Sequence, residues 1–426
     1  MTFNLGRDTE FLTELTFWSD LTPFPKSLRA SSSNSHSVLI IGGGVIGLTT
    51  AWVLLDKGYN VTVVAKDWAS YGKSQRLTSQ IAGALWEFPP AVCGQHTDTI
   101  SLQHSKRWSM ISYHIFDAIS SSQTLAQESG VKMKSANFFF PAPLEDDVKQ
   151  LSKMKEIEAS GIRGFRRDPR IIYERGVNTA YGAVDAYEHL SPVIDTDQAM
   201  SWLMQLVKSK GSEFVTKTIH GDLLHQENEL LEEFSADIIV NATGLEGSEI
   251  AGDSSCYPMR GGLIRVINDG SDFPKIDCAL TISADVGVDS SEIVFIVPRN
   301  DKILLIGGIT EPNKKDLSLT LKSPIIKRMR ARCEAFLPDL KKARMDPEMP
   351  LSQGLRPFRQ RNVRVERELK KNPETSMPSK IVHSYGHGGA GWSLSFGCAV
   401  DVVMLIEEAL SGALPKAMST ELPAPT

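Results

Sequence analysis

The residues Gly42-Gly43-Gly44-Val45-Ile46-Gly47 have the spacing GxGxxG, directly after a β-rich run (Val38-Leu39-Ile40-Ile41) and directly before a helix-like one (Leu48 to Leu55). The chemistry this serves is dinucleotide binding. Gly42 allows the tight turn, Gly44 lets backbone approach a pyrophosphate, and Gly47 lets helix and strand pack closely. The helix N-terminus at Val45 and Ile46 then turns N–H groups and partial positive charge toward the phosphates. The bland alternative is a glycine turn in an ordinary α/β core. The choice of dinucleotide is less plain, because the next strand ends Ala65-Lys66-Asp67: Lys66 suits an NADP 2′-phosphate, Asp67 a ribose hydroxyl. Two more glycine turns after strands, Ala242-Thr243-Gly244 and His387-Gly388-Gly389-Ala390-Gly391-Trp392, favour FAD, which needs contacts gathered from distant segments. The second leads into a helix whose N-terminal N–H groups suit negative charge at the N1/O2 edge of reduced flavin.

These residues need a scaffold, and the chain supplies strand–turn–helix texture at both ends. Val38 to Leu55 runs 18 residues without a charge, the lower edge of membrane-spanning length, but Gly42 to Gly44 and Gly47 divide it into a strand and a helix. Val61 to Ala65 follows Gly58-Tyr59-Asn60 as a second buried strand, so a βαβ unit opens a parallel sheet. Helical spacing marks Thr99 to Ser121 and Asp195 to Lys210, the latter stopped by Gly211; Phe214 to Ile219 and Asp237 to Val240 read as strands. Between Tyr257 and Gly308 the β-rich runs Gly262 to Ile267, Ile293 to Val297 and Ile303 to Ile306 predict an antiparallel sheet covered on one face. Lys322 to Arg344 reads as a helix with an apolar stripe of Ile325, Ile326, Met329, Cys333, Phe336 and Leu337 and a solvated basic face. Ile381-Val382 and Cys398 to Leu410 flank the last glycine turn.

Composition sets limits. A chain of 426 residues with 41% hydrophobic and 23% charged residues is long enough for two or three domains or one large α/β unit and is neither collagen-like nor a disulfide miniprotein. Its net charge of −5 gives no pull toward nucleic acid or anionic lipid. Five scattered cysteines (Cys93, Cys256, Cys278, Cys333, Cys398) form no CxxC pair, which suits a reducing compartment. His383 and His387 have zinc-like i, i+4 spacing, but the glycines around them argue against a helix, and no metal is expected. The acidic opening lacks a secretory pattern and the terminal residues are not SKL, so the expectation is cytoplasmic.

The set GxGxxG, Ala82-Gly83-Ala84-Leu85-Trp86, Ala242-Thr243-Gly244, Gly354-Leu355-Arg356-Pro357 with Val363 to Glu368, and His383 to Gly389 resembles the D-amino-acid oxidase family of flavoproteins, in order, over about Val38 to Leu410. The resemblance implies an α/β architecture: a Rossmann-type FAD-binding domain with a parallel sheet (residues 38–100, 195–255 and 350–412), interleaved with an α+β substrate domain on a mostly antiparallel sheet (101–194 and 256–349). Residues 1–37 and 413–426 are then an N-terminal extension and a tail.

It also implies roles. Lys66 stands near the adenosine ribose and Thr78 and Ser79 near the pyrophosphate. Gly83, Ala84 and Leu85 lie against the flavin ring, Thr218 gives a backbone adenine contact, and Thr243 a second glycine-turn contact. Gly388 to Ser393, with Ala390, Gly391 and Trp392 between them, lies under the pyrimidine edge, and Ser393 bonds O2. Arg356 holds the substrate carboxylate and the Gly389 carbonyl accepts from its amine. The implied reaction is hydride transfer from a carbon bearing nitrogen to flavin N5, giving an imine and, with molecular oxygen, hydrogen peroxide, without a general base. A planar guanidinium suits a carboxylate because it fixes it in two directions; the alternative for Arg356 is a ladder pair with Glu366 or Glu368.

The sequence also departs from the family. Phe295 stands where a tyrosine hydroxyl normally helps hold the carboxylate, and Ser291 where a second tyrosine often sits. Glu87, in place of a neutral amide, either attracts a cationic part of the substrate or faces solvent. The expected substrate is therefore a larger or modified amine or amino acid, with secondary metabolism as the expected setting. Rival readings are an NADP-linked reductase and a flavoprotein without turnover that serves as a binding subunit. Phe11, Leu12, Leu15, Phe17 and Trp18 give the extension enough apolar surface to dock on the body or on a second copy in a homodimer.

Overall fold

The computed structural model describes residues 15–71, 76–91, 99–282 and 292–418; Phe11, Leu12, Cys93 and Ser291 lie outside them. In chain order the strands are β1 (Ser37–Ile41), β2 (Asn60–Ala65), β3 (Val131–Phe140), β4 (Arg166–Arg167), β5 (Asp185–Ile194), β6 (Glu213–Thr216), β7 (Ile238–Asn241) and β8 (Cys256–Ile267). They continue as β9 (Ala279–Ile282), β10 (Glu292–Pro298), β11 (Ile303–Ile309), β12 (Glu311–Pro312), β13 (Leu351–Arg359), β14 (Arg364–Arg367) and β15 (Ile381–Tyr385).

Six of them form a sheet in the order β14-β15-β7-β1-β2-β6, parallel except for β14 at its edge. Val38 to Ile41 and Ile238 to Val240 are buried on both faces, which is why they read as unbroken apolar runs. The uncharged run splits as expected: β1 ends at Ile41 and the helix Val45–Asp56 begins three residues after Gly42. This helix is apolar all round because it is enclosed, with Leu48, Ala51, Trp52 and Leu55 in one core with residues of the helices Thr196–Ser209 and Gly391–Leu410. Among the described residues no helix is long and apolar enough to cross a membrane.

The second sheet runs β12-β8-β11-β10-β9-β3-β5-β4, with β13 also paired to β8, and is antiparallel except between β3 and β9. Two elements cross the expected division of the chain. β13 pairs with β8 over nine positions, from Leu351↔Ile264 to Arg359↔Cys256, and so belongs to the second sheet. The helix Thr99–Ser121 buries Trp108, Ile111, Ile115 and Ile119 in the core of the parallel-sheet side, where Arg107 Nη1 and Trp108 Nε1 both meet Asp401 at 2.7 Å.

The basic helix is shorter than the apolar stripe suggested. It spans Pro324–Phe336, buries Ile326, Met329, Cys333 and Phe336, and stops because Pro338 lacks an N–H and holds Leu337 extended. The N-terminal arm packs on its own chain: Leu15, Phe17 and Leu21 are buried, and the Phe17 ring meets Trp52 edge-on at 6.4 Å. Trp18 stays half exposed. Asp56 fastens the arm by accepting from Thr22 N (2.9 Å), Leu28 N (3.2 Å) and Trp52 Nε1 (2.8 Å), and it pairs with Lys210 (2.7 Å) out of contact with solvent.

Candidate functional site

Parallel strands end on one side, so the turns after β15, β7, β1, β2 and β6 share an edge of the sheet. Along it stand Gly388, Thr243, Gly42, Lys66 and Thr218 in that spatial order, a row suited to an elongated ligand at the carboxyl ends of the strands. Gly42 has φ +127°, and a Cβ there would lie 2.3 Å from the Ala242 carbonyl oxygen, so the first two glycine turns abut. A Cβ on Gly47 would lie 1.9 Å from the Gly42 oxygen, which is the close helix–strand approach anticipated for that position. Lys66 and Asp67 are exposed, and Lys66 Nζ pairs with Glu246 at 2.8 Å. That hydrogen bond raises the Lys66 pKa and leaves its charge matched by a carboxylate, not waiting for a 2′-phosphate. Thr218 is exposed, two residues beyond β6.

Two helices begin at this edge. Val45–Asp56 starts at Gly44 and Gly391–Leu410 at Ala390, each without an acidic residue in its first turn and without a side-chain cap from its N-cap residue. Ser79 lies between them: its hydroxyl accepts from Val45 N (3.1 Å) and its carbonyl from Trp392 Nε1 (2.8 Å). A Cβ on Gly44 would come within 3.2 Å of the Ser79 hydroxyl. Thr78 donates to the Leu355 carbonyl (3.1 Å), and Gly388 N to the Pro357 carbonyl (2.8 Å), so β13 holds both loops. Beyond the Val45 N–H that Ser79 takes, the polarised first-turn N–H groups face no competing acid and suit an anion, and a pyrophosphate between two such helices fits the residues present.

Thr243 is held from below. Its N–H (3.2 Å) and hydroxyl (2.7 Å) donate to Asn241 Oδ1, Asn241 Nδ2 lies 3.2 Å from His383 Nδ1, and His383 Nε2 lies 3.1 Å from Glu368. His383 therefore sits on β15 inside a hydrogen-bonded chain. His387 is fully buried and burial pushes its pKa down to about 3. Among the described residues no group of side chains could hold a metal ion.

On the second sheet Arg356, in β13, extends over Gly261, where a Cβ would lie 2.6 Å from the guanidinium. Its Nη1 donates to the Ile309 carbonyl at 3.1 Å, and no described carboxylate pairs with it. The ladder pairing considered for it is made by Arg364 instead, to Glu366 (2.8 Å) and Glu368 (3.4 Å). Phe295, in β10, packs its ring so closely on Gly83 that a Cβ there would be 2.6 Å away. Ala84 has φ +49°, Leu85 bridges to Val193, and Trp86 is buried with its Nε1 on the Ser109 carbonyl (2.9 Å). Glu87 needs correction: it neither awaits a cation nor faces solvent free, because it pairs at 2.8 Å with Lys153, itself nearly buried and bonded to the Pro90 carbonyl. Gly389 is exposed beside the buried Ala390, Trp392 and Ser393.

Two residues near this site carry no signal in the sequence. Trp68 stacks on Phe214 with ring centres 4.6 Å apart and donates to Thr216 (2.8 Å), covering Gly43. Arg299, buried under the loop from Gln80 to Ala84, donates to its backbone; in the sequence it is one more arginine after a strand.

A profile described as FAD dependent oxidoreductase matches residues 37–405. The chain is 28% identical over 386 residues to a D-amino-acid oxidase of Dictyostelium discoideum, covering 88% of this chain and 92% of that one. It is 27% identical to a D-aspartate oxidase of Homo sapiens, with 89% and 98% covered. Its fold is similar to glycine oxidase from Bacillus cereus ATCC 14579, with TM-score 0.65, 18% identity, and 90% and 99% of the two chains covered. With more than four-fifths of its length matched, two helix N-termini free of acidic residues at one sheet edge and three glycine turns beside them, the chain belongs to the FAD-dependent oxidoreductases.

Proposed function

We propose that this protein is an oxidase of amino acids or related amines that carry a carboxylate, with FAD lying along the edge from Lys66, Asp67 and Thr218, past Gly42 to Gly47, Thr78, Ser79 and Thr243, to Gly83–Leu85 and Gly388–Ser393. When bound at this edge, FAD would supply the hydride acceptor for oxidation of the carbon bearing nitrogen to an imine, with oxygen as the final oxidant and hydrogen peroxide as its product. The observation that carries the reading is Arg356: a guanidinium on the strand that holds both cofactor loops, bonded to one carbonyl and paired to no described acid. Leaving a cation half-buried without a counter-charge is costly, and a substrate carboxylate supplies one. The Gly389 carbonyl is the proposed acceptor for the amine.

Phe295 presents a ring and no hydroxyl beside Gly83. A hydrogen bond to a charged group is worth about 1.5–3 kcal/mol, roughly ten- to a hundredfold in binding, so small free D-amino acids are held less well and contact area from a larger substrate compensates. Glu87 adds no attraction for a cation, since Lys153 already neutralises it. The test is anaerobic bleaching of the bound flavin by D- and L-amino acids and N-alkylated or aromatic amines, followed by peroxide release in air. For any carboxylate substrate found, Arg356→Ala is expected to raise KM at least tenfold; unchanged kinetic constants would exclude the carboxylate role.

A further inference from the structure

Arg299, which follows β10, is 3% exposed, yet among the described residues no carboxylate lies within ion-pair distance of it. Nη2 donates to the loop, to the Ala82 carbonyl (2.7 Å) and the Gln80 carbonyl (3.4 Å), and Nη1 to the end of β5 and the helix after it, at the Ile194 carbonyl (3.1 Å) and the Thr196 hydroxyl. Thr196 also donates to the Gln80 carbonyl, and Ile194 N to the Ala84 carbonyl at 3.1 Å. The carbonyls of Gln80, Ala82 and Ala84 are thus all drawn inward. Across a trans peptide, C=O and N–H point in opposite directions, so an Ala82 carbonyl turned to Arg299 sends the Gly83 N–H outward. That N–H has no partner among the described residues, while Phe295 packs against Gly83 and fixes its place.

We propose that Arg299 is a positioning residue for the cofactor: it aims the Gly83 N–H at the flavin ring and, as a buried cation behind the loop, raises the reduction potential of the bound flavin. The inference rests on the cofactor placement given above. Reduction adds negative charge to the ring, and fixed donors and charges in a low-dielectric setting stabilise charge that develops there. A hydrogen bond from a guanidinium to the Ala82 carbonyl polarises the same peptide and strengthens its N–H as a donor. The cost is visible on Arg299 itself, where burial brings the pKa down to about 10 and Nε has no acceptor. Asp195 and Asp197 exert only a more distant pull on it, because Asp195 accepts from Asn300 and Asp197 pairs with Arg76.

The test compares the FAD-loaded wild type with Arg299→Gln and Arg299→Lys, measuring the midpoint potential by dye-coupled reduction and the FAD dissociation constant by fluorescence. Arg299→Gln is expected to shift the reduction equilibrium at least tenfold toward the oxidised flavin, about 30 mV for a two-electron couple. Arg299→Lys, which keeps the charge, is expected to stay within threefold of wild type in that equilibrium. Its single ammonium does not span the carbonyls, and FAD binding is expected to weaken at least fivefold. A folded Arg299→Gln protein whose equilibrium moves less than threefold overturns the proposal. Should the Gln variant not fold, Arg299→Lys with unaltered FAD binding overturns it. A wild-type protein that fails to retain FAD defeats the cofactor placement itself, before Arg299 is reached.

Discussion

Phe295 is where one oxygen atom separates this site from a tyrosine-bearing one. Its ring already rests on Gly83 and belongs to the same sheet as Arg356, so a para hydroxyl would add a donor at the ring edge beside that loop. Phe295→Tyr is expected to lower KM for small neutral D-amino acids by roughly ten- to a hundredfold, measured as peroxide production at varied substrate. No change would mean that the carboxylate lies away from this ring. The same position shows how legibility depends on the kind of feature. The exchange of Phe for Tyr is plain in the sequence, whereas the pairing of Glu87 with Lys153, 66 positions apart, leaves no local mark.

At the scale of elements, the arm and the first helix act together through Asp56. Replacing it by Asn leaves the buried Lys210 without a counter-charge and keeps one side-chain oxygen where two had accepted from Thr22, Leu28, Trp52 and Lys210. Breaking a buried pair from one side costs about 3–5 kcal/mol, so Asp56→Asn is expected to lower the urea midpoint markedly; a shift within error would show the pair to be dispensable. The elements legible in the sequence are those with strong periodicity or punctuation: β1, β2, β7 and the helices Thr99–Ser121 and Thr196–Ser209, the last closed by Gly211 at φ +101°. The strands β3 and β5 escaped notice. β3 begins with lysines at 132 and 134 before its phenylalanines, and β5 carries Pro192; each is stabilised by ten paired positions with the other, a long-range fact. The early stop of the Pro324–Phe336 helix was written in Pro338 but outweighed by the apolar stripe that continues to Leu337.

For the whole molecule, buried histidines set the response to acid. Burial lowers His387 to about 3 and His189 to about 4, while in the unfolded chain both take up a proton near pH 6.5. Below that pH the unfolded state binds more protons than the folded one, so stability is full above pH 6.5 and is lost as pH falls toward 4, approaching about 1.4 kcal/mol per pH unit for each histidine. Urea denaturation from pH 7.5 to 4.5 is expected to show that decline, and His387→Gln to flatten it in part; a level profile would contradict it.

The order of strands in the parallel sheet has a consequence for how the protein is made. β15 lies beside β7, and the helix that follows it shares a core with the helix after β1, although both come from the opposite end of the chain from the GxGxxG turn. While a ribosome is still adding residues, the emerging polypeptide holds only one wall of the pyrophosphate cradle. Flavin loading therefore belongs after synthesis of the Gly391–Leu410 helix, and until then the edge of β7 that β15 later covers is open to chaperones.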